Sequence, residues 1–151
     1  MPLVTKLGTE SFKGTAIQYA VFPSITGAVG NGSFENCPNL VAADFGPLSE
    51  FSGAQPLRAP LLSIIVIRNS SRVPNLANAA AFNNSPFASG GAGGTIYIPK
   101  ALYDHLGDGT SLDYKAATNW STINSYGTIT WAQIEGSQYE THYADGTVIP
   151  T

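Results

Sequence analysis

Residues 61–67 read Leu-Leu-Ser-Ile-Ile-Val-Ile and form the longest apolar stretch of the chain. The β-branched residues of this stretch favour a strand. Because residues 64–67 are all apolar, both faces of that strand are expected to be covered. The stretch is much shorter than the roughly 20 residues that a membrane helix needs. We therefore expect a buried β-strand here and no membrane insertion.

Two earlier segments share the pattern apolar-x-x-apolar-x-apolar with this stretch. The three triplets are Ile17, Ala20 and Phe22, then Leu40, Ala43 and Phe45, then Leu62, Ile65 and Ile67. A small or turn residue followed by a large apolar one precedes each triplet. This anchor places Phe12, Phe34, Leu57 and a further Phe82 at steps of 22, 23 and 25 residues. Steps and strand patterns of this kind are typical of leucine-rich repeats.

The repeat predicts a mainly β fold, a short leucine-rich-repeat solenoid of about four coils with a small mixed α/β C-terminal tail. Stacked coils would merge their apolar faces into one core. An all-β sandwich with strands at similar spacing is the alternative. Glycine-rich residues 90–94 are interpreted as a connector. The predicted division is a solenoid over 1–89, the connector over 90–94 and a capping tail over 95–151.

Within the tail, the sequence predicts a short strand over 95–99 that ends at a proline, then a helical turn or two over 100–106. A second short helix is predicted over 113–120, where Lys-Ala-Ala favours helix. Alternation of polar and apolar residues over 128–131 predicts one extra strand or hairpin arm.

Three segments of the second half have a distinctive sequence: Phe-Asn-Asn-Ser-Pro-Phe-Ala-Ser-Gly at 82–90, Ile-Tyr-Ile-Pro at 96–99 and Asp-Tyr-Lys-Ala-Ala-Thr-Asn-Trp-Ser-Thr at 113–122. They resemble the C-terminal portion of BspA-like leucine-rich-repeat proteins, as does Asn-Cys-Pro-Asn-Leu at 36–40. This family occurs in bacterial surface adhesins and among structural proteins of gut phages. The resemblance implies a binding protein and carries no catalytic residues.

Composition argues against several classes of function. Only 11% of the residues are charged, the formal net charge is −3, and the seven Lys and Arg are scattered, so nucleic-acid binding is not expected. Cys37 is the sole cysteine of the chain. It is therefore interpreted as a small buried hydrophobic residue rather than a metal or disulfide partner.

No catalytic or metal-binding constellation is recognisable. His105 and His142 lack a metal-ligand spacing, and no Gly-x-Ser-x-Gly elbow is present. Asp104, Asp108 and Asp113 flank a glycine-containing loop, but their spacing departs from the EF-hand pattern, so a solvated turn is favoured over a calcium site. We expect no enzymatic activity, no cofactor and no metal.

The candidate contact surface consists of strand residues between the core positions: Tyr19, Asp44, Ile64 and Val66, with Arg68 just beyond. The apolar outer side of the third strand is expected to be hidden by the tail, a second copy or a larger assembly. The low charge favours a homo-oligomer or a fixed place in an assembly.

The tail aromatics form a second candidate surface, for sugar stacking or chain contact: Trp120, Tyr126, Trp131, Tyr139 and Tyr143. The favoured interpretation of Trp120 and Trp131 is that they fill the tail core.

The predicted function is that of a non-enzymatic phage virion structural protein (fibre, tail or capsid-decorating) with a host-attachment or assembly role. The chain starts at Met1 without a cleavable secretion signal, which fits release by lysis. The alternative is a fragment of a bacterial cell-surface BspA-like adhesin that binds host proteins or glycans. Either way the expected location is a virion or extracellular surface. The expected partners are proteins, further copies of the chain, or a host-surface protein or glycan.

Overall fold

The protein, described by a computed structural model over residues 4–134, contains two parallel β-sheets and a few short helices. The strands are β1 (Tyr19–Phe22), β2 (Ala28–Val29), β3 (Ala42–Phe45), β4 (Glu50–Phe51), β5 (Ile64–Ile67), β6 (Asn75–Leu76), β7 (Gly94–Pro99) and β8 (Ile129–Ile134). The helices are a 3-10 helix (Ala79–Phe82), α1 (Lys100–Tyr103) and α2 (Trp120–Asn124).

Every strand pair in the two sheets is parallel. The larger sheet has the order β1-β3-β5-β7-β8 and the smaller one the order β2-β4-β6. The strands β1, β3 and β5 of the larger sheet thus alternate along the chain with the two-residue strands of the smaller sheet. Each crossover returns the chain in the same direction, and the register places Ala20 opposite Ala43 and Ala43 opposite Ile65.

One apolar core lies between the two sheets. Ala43, Ile65 and Ile96 point into it from the larger sheet, and Val29 and Phe51 do so from the smaller one. Aromatic rings run along its length: Phe12, Phe34, Phe45, Phe51, Phe82 and Trp120, with consecutive centroids 5.4–6.4 Å apart. Such edge and tilted ring contacts stabilise a core beyond the area that they bury.

The predicted fold class is wrong. The chain forms a small α/β domain with a five-stranded and a three-stranded parallel sheet, not a mainly β leucine-rich-repeat solenoid of about four coils. The tail causes the difference, because β8 pairs along its whole length with β7 and adds the fifth strand. Tyr114 and Trp120 also enter the common core instead of forming a cap of their own.

Several local predictions fit the structure although the architecture inferred from them does not. Strands form within all three apolar triplets, over 95–99 and over 129–134. A helical turn begins at Lys100 as expected. The second helix was misplaced, because residues 113–119 form turns and α2 begins only at Trp120.

The predicted boundary at residues 90–94 lies just before β7, whose first residue is Gly94. The side chains of the common core come from both sides of that boundary. The division into 1–89, 90–94 and 95–151 stays a prediction. Within residues 4–134, none of the helices is long and apolar enough to cross a bilayer.

Candidate contact surface

The outward face of the larger sheet carries the residues predicted as a contact surface. Strand register aligns them in two rows, because side chains opposite one another point to the same side of a sheet. The first row contains Tyr19, Ala42, Ile64, Thr95 and Thr130, and the second contains Val21, Asp44, Val66, Tyr97 and Ala132. Four of the five predicted residues, Tyr19, Asp44, Ile64 and Val66, therefore share one face.

Exposure falls from the β1 edge of this face towards its centre. Tyr19 and Val21 retain 40% and 37% of their surface, whereas Asp44 and Val66 are fully buried and Ile64 is half-buried. Val66 packs in a small apolar cluster with Ala42, Ile134, Val41, Ile64 and Tyr97. Burial also raises the pKa of the Tyr97 hydroxyl. The large apolar side chains of this face that count as exposed, Tyr19 and Val21, therefore both lie on β1.

Asp44 and Arg68 form a bidentate ion pair on the same face. Arg68 Nε donates to Asp44 Oδ1 at 3.0 Å, and a terminal guanidinium nitrogen donates to Oδ2 at 2.7 Å. The Asp44 side chain has no solvent exposure, while that of Arg68 retains 22%. Burial raises the pKa of Asp44, and the Arg68 guanidinium only partly offsets this. Asp44 is therefore a paired internal charge rather than the free recognition acid that the sequence suggested.

Sequence reasoning placed Arg68 beyond the strand and missed its partner. The available signal was the register, because Asp44 lies opposite Val66 and Arg68 follows two residues later on the same face. Tyr97 and Ile134, which complete the apolar cluster, were also missed. Both come from strands of the tail, which was treated as a separate cap.

One of the predicted tail aromatics, Trp120, lies inside the core. Trp120 is fully buried, and its ring lies 5.0 Å from that of Tyr114, which in turn lies 4.9 Å from Trp131. Trp120 is therefore not available for sugar stacking, and Trp131 and Tyr126 are half-buried. Tyr139, Tyr143 and His142 lie outside the described residues.

The acidic loop of the tail is organised by its own hydrogen bonds. The Asp113 carboxylate accepts backbone N–H bonds from Gly107, Gly109 and Lys115 at 2.8–2.9 Å. Burial raises the pKa of Asp113, but these three bonds outweigh it, so that the pKa lies below its ordinary value. The loop thus uses this carboxylate as a turn-forming acceptor.

Asp108 has a similar local role in this loop. It accepts from the backbone N–H and the hydroxyl of Thr110, and these bonds, with that to His105, lower its pKa. His105 Nδ1 lies 2.6 Å from Asp108 Oδ2 on an exposed surface. Across residues 4–134, no three His, Cys, Asp or Glu side chains converge in a way that would hold a metal ion.

A cavity of about 310 Å³ lies where β6 meets the tail. Its wall consists of neutral side chains, among them Val73, Asn75, Ser111 and Thr118. Acid–base catalysis requires a titratable group within hydrogen-bond reach of the reacting atom, and the wall of this cavity offers none. Its chemistry is limited to shape and neutral hydrogen bonds.

The edges of the two sheets end differently. On the smaller sheet, Leu7 bridges to Val29 alongside β2, with Leu7 N–H bonded to Ala28 O at 2.9 Å. At the opposite edge, Asn119 Nδ2 donates to Leu76 O at 2.7 Å and Trp120 Nε1 to Pro74 O at 2.8 Å. Both edges of the smaller sheet are thus covered, whereas no segment within residues 4–134 pairs with the outer edge of β1.

No protein-family model, curated protein or solved structure matches the chain. The resemblance to BspA-like proteins therefore stays a prediction made from the residues. The comparisons also give no support to a phage or an adhesin assignment.

Proposed function

We propose that the protein is a non-enzymatic structural module that works by binding partner proteins or glycans through the outward face of its larger sheet. The observation that carries this proposal is the exposure of Tyr19 and Val21 on the terminal strand β1. They stand on a face whose centre holds a buried apolar cluster around Val66 and the Asp44–Arg68 ion pair. Large apolar side chains grouped at the end of an ordered sheet are typical of contact sites, and Tyr is enriched among the residues that dominate binding energy.

The chemistry of the described residues supports a binding role over catalysis. The buried acid Asp44 is neutralised by Arg68, and Asp113 is engaged by three backbone amides. The cavity beside β6 has a neutral lining. A nucleophile, base and oxyanion donor would have to converge for catalysis, and these groups are instead used to hold local structure.

The setting that we propose is a virion, where the module would contribute to assembly or host attachment at the particle surface. This rests on the resemblance of residues 82–90, 96–99 and 113–122 to the family named above. A fragment of a bacterial surface adhesin is the alternative. Mass spectrometry of purified virions and of cell-envelope fractions separates the two, because the chain should be found in one preparation and be missing from the other.

Two substitutions test the face itself. Tyr19→Ser removes the exposed ring from the face, and Leu61→Ser is the matched control, because Leu61 is 52% exposed but lies outside the strands. The measurements are adsorption of the labelled protein to bacterial cells, binding to a glycan array and mass in solution. We expect Tyr19→Ser to weaken the contact at least about tenfold, as loss of an aromatic anchor does, and Leu61→Ser to leave it unchanged.

The proposal would be contradicted if the protein stayed monomeric at every concentration and bound neither cells nor glycans. An equal loss of binding in the two variants would also contradict the proposal. It would indicate nonspecific adhesion of exposed apolar groups rather than binding by a defined face.

A further inference from the structure

We propose that the open edge of β1 joins the same edge of a second copy, so that two larger sheets become one continuous sheet across a two-fold axis. This inference rests on the proposed function and names the partner of the β1 end of the face. It starts from the difference between the sheet edges: β2 and β6 are covered by Leu7 and by Asn119 with Trp120, whereas no strand within residues 4–134 pairs with the outer side of β1.

The backbone groups that face outward on β1 can be assigned from its pairing with β3. Gly46 N–H donates to Phe22 O at 2.9 Å, so the peptide groups of Phe22 face β3. Peptide orientation alternates along a strand. Ala20 therefore also faces β3, and the N–H and C=O groups of Tyr19 and Val21 point to the open edge.

These outward groups are self-complementary when two β1 strands run antiparallel. Tyr19 of each copy then lies opposite the second copy's Val21, and each such pair exchanges two N–H···O=C bonds. The dimer has four of these bonds, and the two Ala20 residues meet on the two-fold axis. Cross-strand pairs of an aromatic and a β-branched residue are among the favourable ones, and both side chains are already exposed on the outer face.

The strand β1 contains no charged residue and no proline, two of the features that natural proteins use to prevent such pairing. Residues 14–27 contain no charged residue, and no proline precedes Pro23 in that segment. Charged side chains, prolines and bulges are the usual means of blocking an edge strand. Two copies can therefore approach without like-charge repulsion, and pairing of identical edges closes at the dimer instead of growing into a fibre.

The edge is tested with Val21→Pro, because proline removes the outward N–H of residue 21 while leaving the bonds of Ala20 and Phe22 to β3 in place. Val21→Thr is the matched control, since it keeps the N–H and a β-branched side chain of similar size. Sedimentation of the full chain over a concentration series measures the dimer. We expect a concentration-dependent dimer for the unaltered chain and Val21→Thr. For Val21→Pro, which loses two of the four bonds, we expect dissociation constants at least about tenfold higher.

Amide hydrogen exchange adds a test of backbone pairing, because changes in side-chain contacts alone would not alter these exchange rates. The amides of Tyr19 and Val21 should exchange more slowly at high protein concentration, whereas the amide of Ala20 should not respond, because it is bonded within the monomer. A strictly monomeric chain, a Val21→Pro variant that dimerises as well as Val21→Thr, or species growing beyond the dimer would overturn the proposal.

These outcomes separate the edge from the face. If Val21→Pro leaves self-association unchanged while Tyr19→Ser still weakens cell or glycan binding, the edge pairing is wrong and the proposed function stands. If the dimer forms as described and neither cells nor glycans are bound, the edge pairing stands and a host-attachment role is wrong.

Discussion

The larger and smaller sheets of this protein take their first three strands alternately from the chain, but their edges are protected differently. In the smaller sheet, the carbonyls of Pro74 and Leu76 accept side-chain hydrogen bonds from Trp120 and Asn119. In the larger sheet, β1 presents Tyr19 and Val21 without a partner strand in the described part of the chain. An edge two residues long can thus be closed by two side chains, whereas the four-residue edge of β1 offers enough backbone groups to pair with another strand.

The largest loss of stability is expected when the side chain that both caps β6 and fills the core is removed. Trp120→Ala should lower the free energy of unfolding by about 3–5 kcal/mol, because a fully buried aromatic residue is lost and the cavity collapses only in part. Urea denaturation measures this. Trp120→Phe is the control that keeps most of the apolar volume but leaves Pro74 O without its donor, and it should lose less.

A result in which Trp120→Phe is as damaging as Trp120→Ala would mean that the hydrogen bond to Pro74 O outweighs the packing. Unchanged stability in both variants would show that Trp120 does not hold the tail against the smaller sheet.

A smaller loss of stability is expected from a substitution in the loop that precedes Trp120. Asp113→Asn should cost about 1–3 kcal/mol near neutral pH, because a buried carboxylate that accepts three backbone N–H bonds becomes an uncharged amide. The pKa of Asp113 is lowered in the folded state. Its contribution is therefore complete above the ordinary pKa of 3.8 and is lost as the pH falls through the lower folded value.

Urea denaturation at neutral pH and in acid tests this sign. The difference between the unaltered chain and Asp113→Asn should shrink in acid, and a constant difference would contradict the assignment. Asp104→Asn serves as a control, since Asp104 forms only an exposed ion pair with Lys100 and its loss should cost less than about 0.5 kcal/mol. Asp44 has the opposite sign: because its pKa is raised in the folded state, its contribution to stability falls as the pH rises from 3.8 through the higher folded value.

The smallest loss of stability is expected at Asn119, the second side chain that caps β6. Asn119 has φ of 64° and donates to Leu76 O. Asn119→Ala should cost about 1–2 kcal/mol through the lost bond and the left-handed backbone that alanine disfavours. Asn119→Gly loses the same bond without the strain and should cost less. Thermal unfolding of the two variants gives the order, and an alanine variant as stable as the glycine one would show that the backbone relaxes.

Strand positions were predictable from this sequence, and the architecture was not. The continuous apolar run over residues 64–67 and the alternation over 128–131 both reflect local burial, and strands form there. The solenoid prediction failed because it required the tail to stay outside the repeat stack, whereas Tyr114 and Trp120 enter the shared core. Local periodicity contains no information on which distant segment completes a sheet.

The candidate surface was predictable to a similar extent. Tyr19, Ile64 and Val66 were placed on one face by strand alternation alone, and register supports that placement. The ion pair of Asp44 with Arg68 was missed because it joins residues 24 positions apart. The caps of β6 were missed for the same reason, as their donors lie 43 and 46 residues from the acceptors.

The buried Cys37 also has a practical consequence for measuring motion next to β1. Its Sγ lies 3.0 Å from Phe12 O and 3.6 Å from Thr15 Oγ1, and the side chain has no solvent exposure. A thiol-reactive reagent can therefore reach it only when the structure around this side chain opens. Because the chain has one thiol, the rate of labelling reports that opening without interference and gives its free energy from the native state. Thiol labelling of the unaltered chain thus measures local unfolding at the end of the molecule where β1 lies.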